Sequence, residues 1–262
     1  MRTYDEGQGR PIVMVHPGLS DGRRCGRVAA ILSSRFRVLR LDRLQYRADR
    51  GAPVRVEQEA EDVLRLARSA GEPVVLYGHS SGGVVALEAL VAAPDAFAGA
   101  VIFEPAAVIG APLSGEGGEV LRRARAAMAS GRPGKALRIF MRDTVELPDW
   151  QARLVGAIIA LVPHYRRLIP RQLDDLEAMD RLGVRLDAYA TIKVPVVLLG
   201  GDHGPAHLSE RLDAIQRVLP NGERVVLPGA DHGADLKRPA AVARVIRELA
   251  EKVFADGVGK AG

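Results

Sequence analysis

The sequence has a single cysteine, Cys25, few aromatic residues and no long apolar run. One cysteine excludes an intramolecular disulfide and a thiolate metal site. No stretch approaches the roughly 18 to 20 uninterrupted apolar residues that a membrane span requires. Residues 1–6 have neither the apolar segment nor the cleavage site of a secretory signal. We therefore expect a cytoplasmic protein with no membrane partner.

Lysine is also scarce, since arginine supplies 32 of the 37 basic residues, and the formal charge is +5. Nine of the arginines lie between Arg23 and Arg50, a density that could indicate an anionic partner. However, Asp21, Asp42 and Asp49 are interleaved with them, and no ladder of aromatic residues accompanies them. The pattern favours a solvated surface, and we expect no nucleic-acid partner.

The pattern of apolar residues predicts the fold class. Short runs bounded by glycine or proline predict buried parallel strands, and these lie at 12–16, 36–41, 73–77, 100–103, 194–199 and 224–227. Helical periodicity separates most of them, as at 54–70, 84–93 and 239–254. Strands that alternate with helices indicate an α/β protein with a mostly parallel central sheet flanked by helices.

One long interval contains only helical pattern. Between the strands at 100–103 and 194–199, helices are predicted at 119–130, 134–143, 150–162 and 165–180. We predict a core formed by residues 1–105 and 192–262, and a helical cap or lid formed by residues 106–191. Such a cap would lie over the carboxyl edge of the sheet, where open α/β sheets bind ligands.

The strongest chemical signal is the segment Gly78-His79-Ser80-Ser81-Gly82, which follows a predicted strand and precedes a predicted helix. A serine in so sharp a turn has a strained backbone, and the residues two before and two after it nearly touch. Both must therefore lack side chains, as Gly78 and Gly82 do. This Gly-x-Ser-x-Gly pattern predicts an exposed nucleophile, Ser80, at the top of the sheet.

From this motif outwards the chain resembles the α/β-hydrolase family nearly from end to end. Residues 4–18 look like the family's opening strand and oxyanion loop, with Pro17 in place of the usual glycine. The resemblance implies an oxyanion hole made of two backbone N–H groups. One belongs to Ser81, directly after the nucleophile. The other belongs to Gly18 or to its neighbour Leu19, because Pro17 departs from the family pattern and leaves both residues as candidates for this donor.

The family order of nucleophile, acid and histidine implies the catalytic base. Among six histidines, His232 follows the last predicted strand on a loop of small residues, which is the family position of the base. His16 and His79 lie in the two motif loops, where we expect structural roles.

Two carboxylates compete for the role of the acid. Asp202 follows the strand at 194–199 but lies about two residues before the usual family position, whereas Glu104 directly follows the strand at 100–103, where some family members place the acid. A glutamate after four apolar residues is costly to bury unless it is paired. We favour Glu104 and keep Asp202 as the alternative; either could instead anchor a loop.

Substrate choice is expected to depend on the predicted cap. Its apolar stripe includes Trp150, Leu154 and Ile158, which we assign to substrate binding, although packing within the cap is the alternative. The stripe favours a small, largely apolar substrate.

The resemblance implies a serine hydrolase of the carboxylesterase type. A serine at position 80, where related dehalogenases and epoxide hydrolases carry aspartate, favours attack on a carbonyl and an acyl-serine intermediate. The alternatives are a biosynthetic thioesterase, lactonase or C–C bond hydrolase, and a ligand-binding receptor with little or no turnover. We expect no cofactor and no metal; the partner is a small-molecule substrate, and a homodimer stays open.

Overall fold

A mixed sheet forms the centre of the computed structural model, which describes residues 2–50 and 53–258. Its seven strands are β1 (Thr3–Glu6), β2 (Pro11–Val15), β3 (Arg37–Leu41), β4 (Val74–His79), β5 (Phe97–Phe103), β6 (Val196–Gly201) and β7 (Gly222–Leu227). They lie in the order β1-β3-β2-β4-β5-β6-β7. β1 pairs antiparallel with β3, and the other neighbours are parallel. The predicted α/β class with a mostly parallel sheet is confirmed.

Helices account for most of the remaining described residues. In chain order they are α1 (Gly26–Leu32), α2 (Val56–Arg68), α3 (Ser81–Ala92), α4 (Glu119–Ala129), α5 (Pro133–Asp143), α6 (Asp149–Leu161), α7 (Pro163–Arg166), α8 (Ile169–Leu182), α9 (Leu186–Tyr189), α10 (Ala206–Val218), α11 (Ala234–Lys237) and α12 (Pro239–Val258). None of these helices is long and apolar enough to cross a membrane.

The edge strand β1 has no counterpart among the apolar runs of the sequence. Its residues, Thr-Tyr-Asp-Glu, alternate between exposed and half-buried positions. Strand β1 joins the sheet through its backbone, with Tyr4 opposite Arg40, and through an ion pair between Asp5 and Arg37. A strand at the edge needs no apolar run, because only one of its sides faces another strand.

Alternate residues of the inner strands build two apolar cores, one on each face of the sheet. Val13 and Val15 of β2 pack in the core that includes α2, α3 and α10. Ile12 and Met14 pack on the opposite face, in the core that includes α1 and α12. This follows from the two-residue period of a strand, and it holds the carboxyl ends of the strands in fixed relative positions.

The segment between β5 and β6 contains the helices α4 to α9. Their own apolar cluster includes Leu137 of α5 together with Ile169 and Leu173 of α8. Farther along α8, however, Met179 packs in the core of the sheet, as does Tyr189 of α9. Helix α8 therefore belongs to two apolar clusters. The division into a core and a cap at residues 106–191 stays a prediction, and residues 1, 51, 52 and 259–262 of the proposed core lie outside the described residues.

Two replacements test the cap boundary. Replacing residues 106–191 by a short linker removes Met179 and Tyr189 from the sheet core, and losing one such large side chain costs about 2–5 kcal/mol. We expect that variant to lose its cooperative thermal transition, followed by circular dichroism. Replacing only residues 115–167 keeps α8, as well as the hydrogen bonds from Leu113 and Ser114 to Asp180, and is expected to preserve the transition. A cooperative transition in the longer replacement would support the boundary expected from the sequence.

Candidate active site

The turn between β4 and α3 places Ser80 at the carboxyl edge of the sheet. Ser80 has φ 55° and ψ −126°, a conformation that costs free energy for any residue with a side chain. A Cβ atom on Gly78 would lie 2.6 Å from the Cβ of Ala86, and one on Gly82 would lie 2.3 Å from the carbonyl oxygen of His16. Both positions therefore require glycine, as expected from the sequence, and Ser80, which is half-buried, lines an apolar cavity.

A buried carboxylate holds the histidine of the same cavity. Oε2 of Glu104, which is 1% exposed, lies 2.7 Å from Nδ1 of His232. The second oxygen of Glu104 accepts a hydrogen bond of 2.8 Å from the backbone N–H of Gly201. Burial by itself raises the pKa of Glu104, but the hydrogen bonds from His232 and Gly201 outweigh it and the pKa is lowered. Glu104 is therefore ionised at neutral pH and can accept a hydrogen bond from the Nδ1–H group of His232.

The other candidate acid lies elsewhere. Asp202 is exposed, and its Oδ1 accepts a hydrogen bond of 2.6 Å from the backbone N–H of Gly229. This contact anchors the loop that leads to His232. Of the two carboxylates that the sequence left open, Glu104 contacts His232, whereas Asp202 has the loop-anchoring position. Their effects on activity stay predictions.

Ser80 and His232 line the same cavity. Within the described residues, no hydrogen bond joins Oγ of Ser80 to the ring of His232. Catalytic hydrogen bonds are commonly long or misaligned before substrate binds. Proton transfer between the two therefore requires a closer approach of their side chains.

Backbone N–H groups are available beside Ser80. Gly18, Leu19 and Ser81 all line the cavity, and Ser81 is the first residue of α3, where the helix dipole favours negative charge. In the described part of the chain, the backbone N–H groups of Gly18 and Ser81 donate no hydrogen bond. The arrangement suits an oxyanion hole, which stays a prediction.

A buried ion cluster lies behind these groups. The guanidinium of Arg43 donates to Glu59 of α2 at 2.6 Å, to Asp175 of α8 at 2.8 Å and to Oγ of Ser81 at 2.7 Å. Tyr46 also donates to Asp175, at 2.7 Å. Burial acts to lower the pKa of Arg43, but Asp175 and Glu59 outweigh it and raise the pKa. The cluster therefore holds the side chain of Ser81, the residue directly after Ser80, in place.

This buried cluster was not expected from the sequence. Arg40 and Arg43 belong to the arginine-rich segment for which we expected a solvated surface, and both are buried. For these two residues that expectation is wrong. Partners from other parts of the chain compensate for this burial. The guanidinium of Arg43 pairs with Glu59 and Asp175, and that of Arg40 donates to the carbonyl oxygen of Gly22 at 2.7 Å.

A second group of buried side chains lies beside His232. The ring of His79 stacks on Phe103 at 4.4 Å and lies 4.6 Å from the ring of His232. Its Nδ1 is 3.6 Å from Asp235, which also forms an ion pair of 2.6 Å with Arg24. Burial lowers the pKa of His79, so the ring is neutral at neutral pH. These contacts fit the structural role expected for His79.

The cavity above Ser80 has a volume of about 390 Å³. Most of its wall is apolar, and helices α5 to α8 with the loops around them contribute much of it; apolar lining residues include Leu113, Phe140, Val145, Ile159, Met179 and Leu208. No group of three or more His, Cys, Asp or Glu side chains in the described ranges is arranged to hold a metal ion. The cavity can hold a small apolar molecule next to Ser80.

The three residues of the stripe that we assigned to substrate binding do not reach the cavity. Trp150, Leu154 and Ile158 are 66%, 54% and 53% exposed, and none of them lines it. Helix α6 packs through its small residues instead, since a Cβ on Gly156 would lie only 2.6 Å from the carbonyl oxygen of Gly134. This close contact with α5 turns these three side chains outwards, whereas Ile159 of the same helix lines the cavity. We expected these three residues to line the pocket or to pack inside the cap, and the structure shows neither.

Comparison with known proteins is consistent with this fold. The model of the alpha/beta hydrolase family matches residues 12–245. An alpha/beta hydrolase from Sphaerobacter thermophilus has 25% sequence identity and a TM-score of 0.79, with 95% of each chain covered. No curated protein sequence matches the chain.

Two further solved structures share the fold. A thermophilic esterase from Thermogutta terrifontis is 23% identical with a TM-score of 0.74, covering 96% of this chain and 93% of its own. The enol-lactonase from Burkholderia xenovorans is 19% identical with a TM-score of 0.71, covering 95% of each chain.

Proposed function

The chain belongs to the alpha/beta hydrolase family, and from this premise we propose that it is a serine hydrolase that cleaves a carboxylic ester through an acyl-serine intermediate. The observation that carries the proposal is the meeting of a strained, half-buried Ser80 and the hydrogen-bonded Glu104–His232 pair at one apolar cavity. These side chains supply a nucleophile, a base and an orienting acid.

In the first half-reaction, Glu104 holds Nδ1–H of His232, so that Nε2 carries the lone pair. Nε2 takes the proton of Ser80 as Oγ attacks the ester carbonyl. Negative charge develops on the carbonyl oxygen, and the N–H groups of Ser81 and of Gly18 or Leu19 stabilise it. The intermediate collapses, His232 protonates the departing alcohol, and the acyl group stays on Ser80.

Water completes the cycle. His232 removes a proton from a water molecule, which attacks the acyl-serine, and returns that proton to Oγ of Ser80 as the acid product leaves. The apolar wall of the cavity favours a small substrate with a largely apolar body. Two of the similar structures are named as an esterase and an enol-lactonase, which supports a carbonyl substrate and leaves the choice between ester and lactone to experiment.

Partitioning of the intermediate tests this proposal. Phenyl and 4-nitrophenyl butyrate share an acyl group but differ in leaving group, and methanol competes with water for an acyl-enzyme. We expect the ratio of methyl butyrate to butyrate to be the same from both esters. Different ratios would contradict a common acyl-serine. Failure to turn over any ester, or the matching thioester and lactone, would favour a binding protein.

A further inference from the structure

One cation in the cavity wall differs from the other charged groups there. Arg211, on α10, lines the cavity together with Ser80 and His232. Within the described residues it forms no hydrogen bond and no ion pair. Its guanidinium is therefore available to a bound molecule.

The other charged side chains of the wall are already paired. Their partners lie within 2.6 to 2.8 Å: Arg24 with Asp235, Glu104 with His232, and Asp175 with Arg43. The histidine beside Arg211 carries no charge at neutral pH, because burial and the nearby Arg211 lower the pKa of His207; its Nδ1 lies 3.1 Å from Glu146. Arg211 is thus the one charged group of the described cavity wall that has no hydrogen-bonded or ion-paired partner.

An unpaired, largely desolvated guanidinium is costly in the free protein. Burial lowers the pKa of Arg211, while the more distant carboxylates Glu146 and Glu210 act in the opposite direction without forming an ion pair with it. An anionic ligand would recover part of this cost. Hydrogen bonds between ions are stronger than those between neutral groups, and the planar fork of arginine matches a carboxylate.

Resting on the proposed function, we infer that Arg211 binds a carboxylate of the substrate. The substrate class is then an ester whose acyl chain is apolar and ends in a carboxylate. The reacting carbonyl lies at Ser80, the chain lies along apolar residues such as Met179 and Leu208, and the terminal carboxylate pairs with Arg211. A phosphate dianion fits less well, because the other cation of the wall, Arg24, is neutralised by Asp235.

Paired substrates test this inference. The 4-nitrophenyl monoesters of dicarboxylic acids of increasing length are compared with the same esters whose free carboxylate is methylated. We expect wild type to prefer the acid form at one chain length. Arg211→Gln should lower kcat/KM for that form by about 10- to 100-fold, the range for a hydrogen bond to a charged group, chiefly by raising KM. Turnover of the methylated ester should change by less than about threefold, as expected for a position that contacts only the missing carboxylate.

Two variants serve as controls. Arg217→Gln removes an exposed arginine of the same helix whose guanidinium bonds only the carbonyl oxygen of Asp213, and we expect no change. Arg211→Lys keeps the charge but loses the fork, so it should restore part of the preference. A phosphonate-terminated ester provides the comparison with phosphate, and a wild-type preference for that ester over the carboxylate would overturn the assignment.

The failures of this inference and of the proposed function are distinguishable. Equal losses on both ester forms in Arg211→Gln, or no preference for the acid form in wild type, would overturn the role of Arg211 while hydrolysis stands. If wild type hydrolyses no ester, the proposed function fails, and calorimetric titration with suberate decides the inference alone. Weaker binding to Arg211→Gln than to wild type would support a carboxylate site, and equal affinity would contradict it.

Discussion

Ser80→Ala is expected to abolish hydrolysis of an activated ester while the protein keeps its melting temperature. Removing the nucleophile costs about 10⁶ in kcat in the serine-protease precedent, because no other group can form the acyl intermediate. Stability should hold, since serine and alanine share a Cβ and pay the same cost at φ 55°. Steady-state rates with 4-nitrophenyl butyrate and thermal melts of the same samples measure both properties.

The control for this variant is Ser34→Ala. Ser34 is exposed, and its hydroxyl bonds only the carbonyl oxygen of Ile31, near the end of α1, so its loss should leave the rate unchanged. An alanine at position 80 that kept more than a few per cent of the wild-type rate would rule out Ser80 as the nucleophile.

Glu104→Gln is expected to lower turnover at neutral pH by up to about 10⁴, by analogy with the serine-protease acid. The glutamine carbonyl can still accept the hydrogen bond from Gly201, but its NH₂ group then faces Nδ1 of His232. That arrangement favours the tautomer protonated at Nε2, which cannot take a proton from Ser80. The fold should survive, because the backbone contact to Gly201 is kept, and circular dichroism checks this first.

Asp202→Asn is the matched control. Its amide oxygen can still accept the hydrogen bond from Gly229, and the exposed side chain does not contact His232. We expect a rate within a few-fold of wild type. The opposite order of effects would assign the acid to Asp202, and large losses in both would indicate a shared network.

The sharp turn at Ser80 could be predicted from the sequence because its two glycines bracket the serine at fixed positions within five residues. Gly78 is required by contacts with Ala86 and with Gly82 itself, whereas Gly82 is required by the loop after β2, at the carbonyl oxygen of His16. The pattern therefore indicates the turn, although part of its cause lies outside it. The position of His232 in the cavity was expected from the family resemblance, which places a histidine after the last strand. Which carboxylate contacts His232 could not be settled from the sequence, because both carboxylates follow strands and only the direction of each side chain separates them. Glu104 reaches His232 from a backbone with φ 40°, which no local pattern indicated.

Longer-range packing explains the remaining differences. Helix α6 carries apolar residues on more than one face, and its contact with α5 at Gly156 decides which face is buried. Arg43 resembles the other arginines of its segment in sequence, yet its partners Glu59 and Asp175 lie 16 and 132 residues away from it in the chain. Arg211 gave no signal of its own, because only the folded cavity shows that it lacks a partner.

The most direct test of the acyl-serine account is labelling with a fluorophosphonate, followed by intact-mass measurement and peptide mapping. The reagent reacts with a serine only when a neighbouring base activates it. The account predicts one adduct per chain, located on Ser80, and none in Ser80→Ala. A wild-type protein that stays unlabelled, or an adduct that persists in Ser80→Ala, would contradict it.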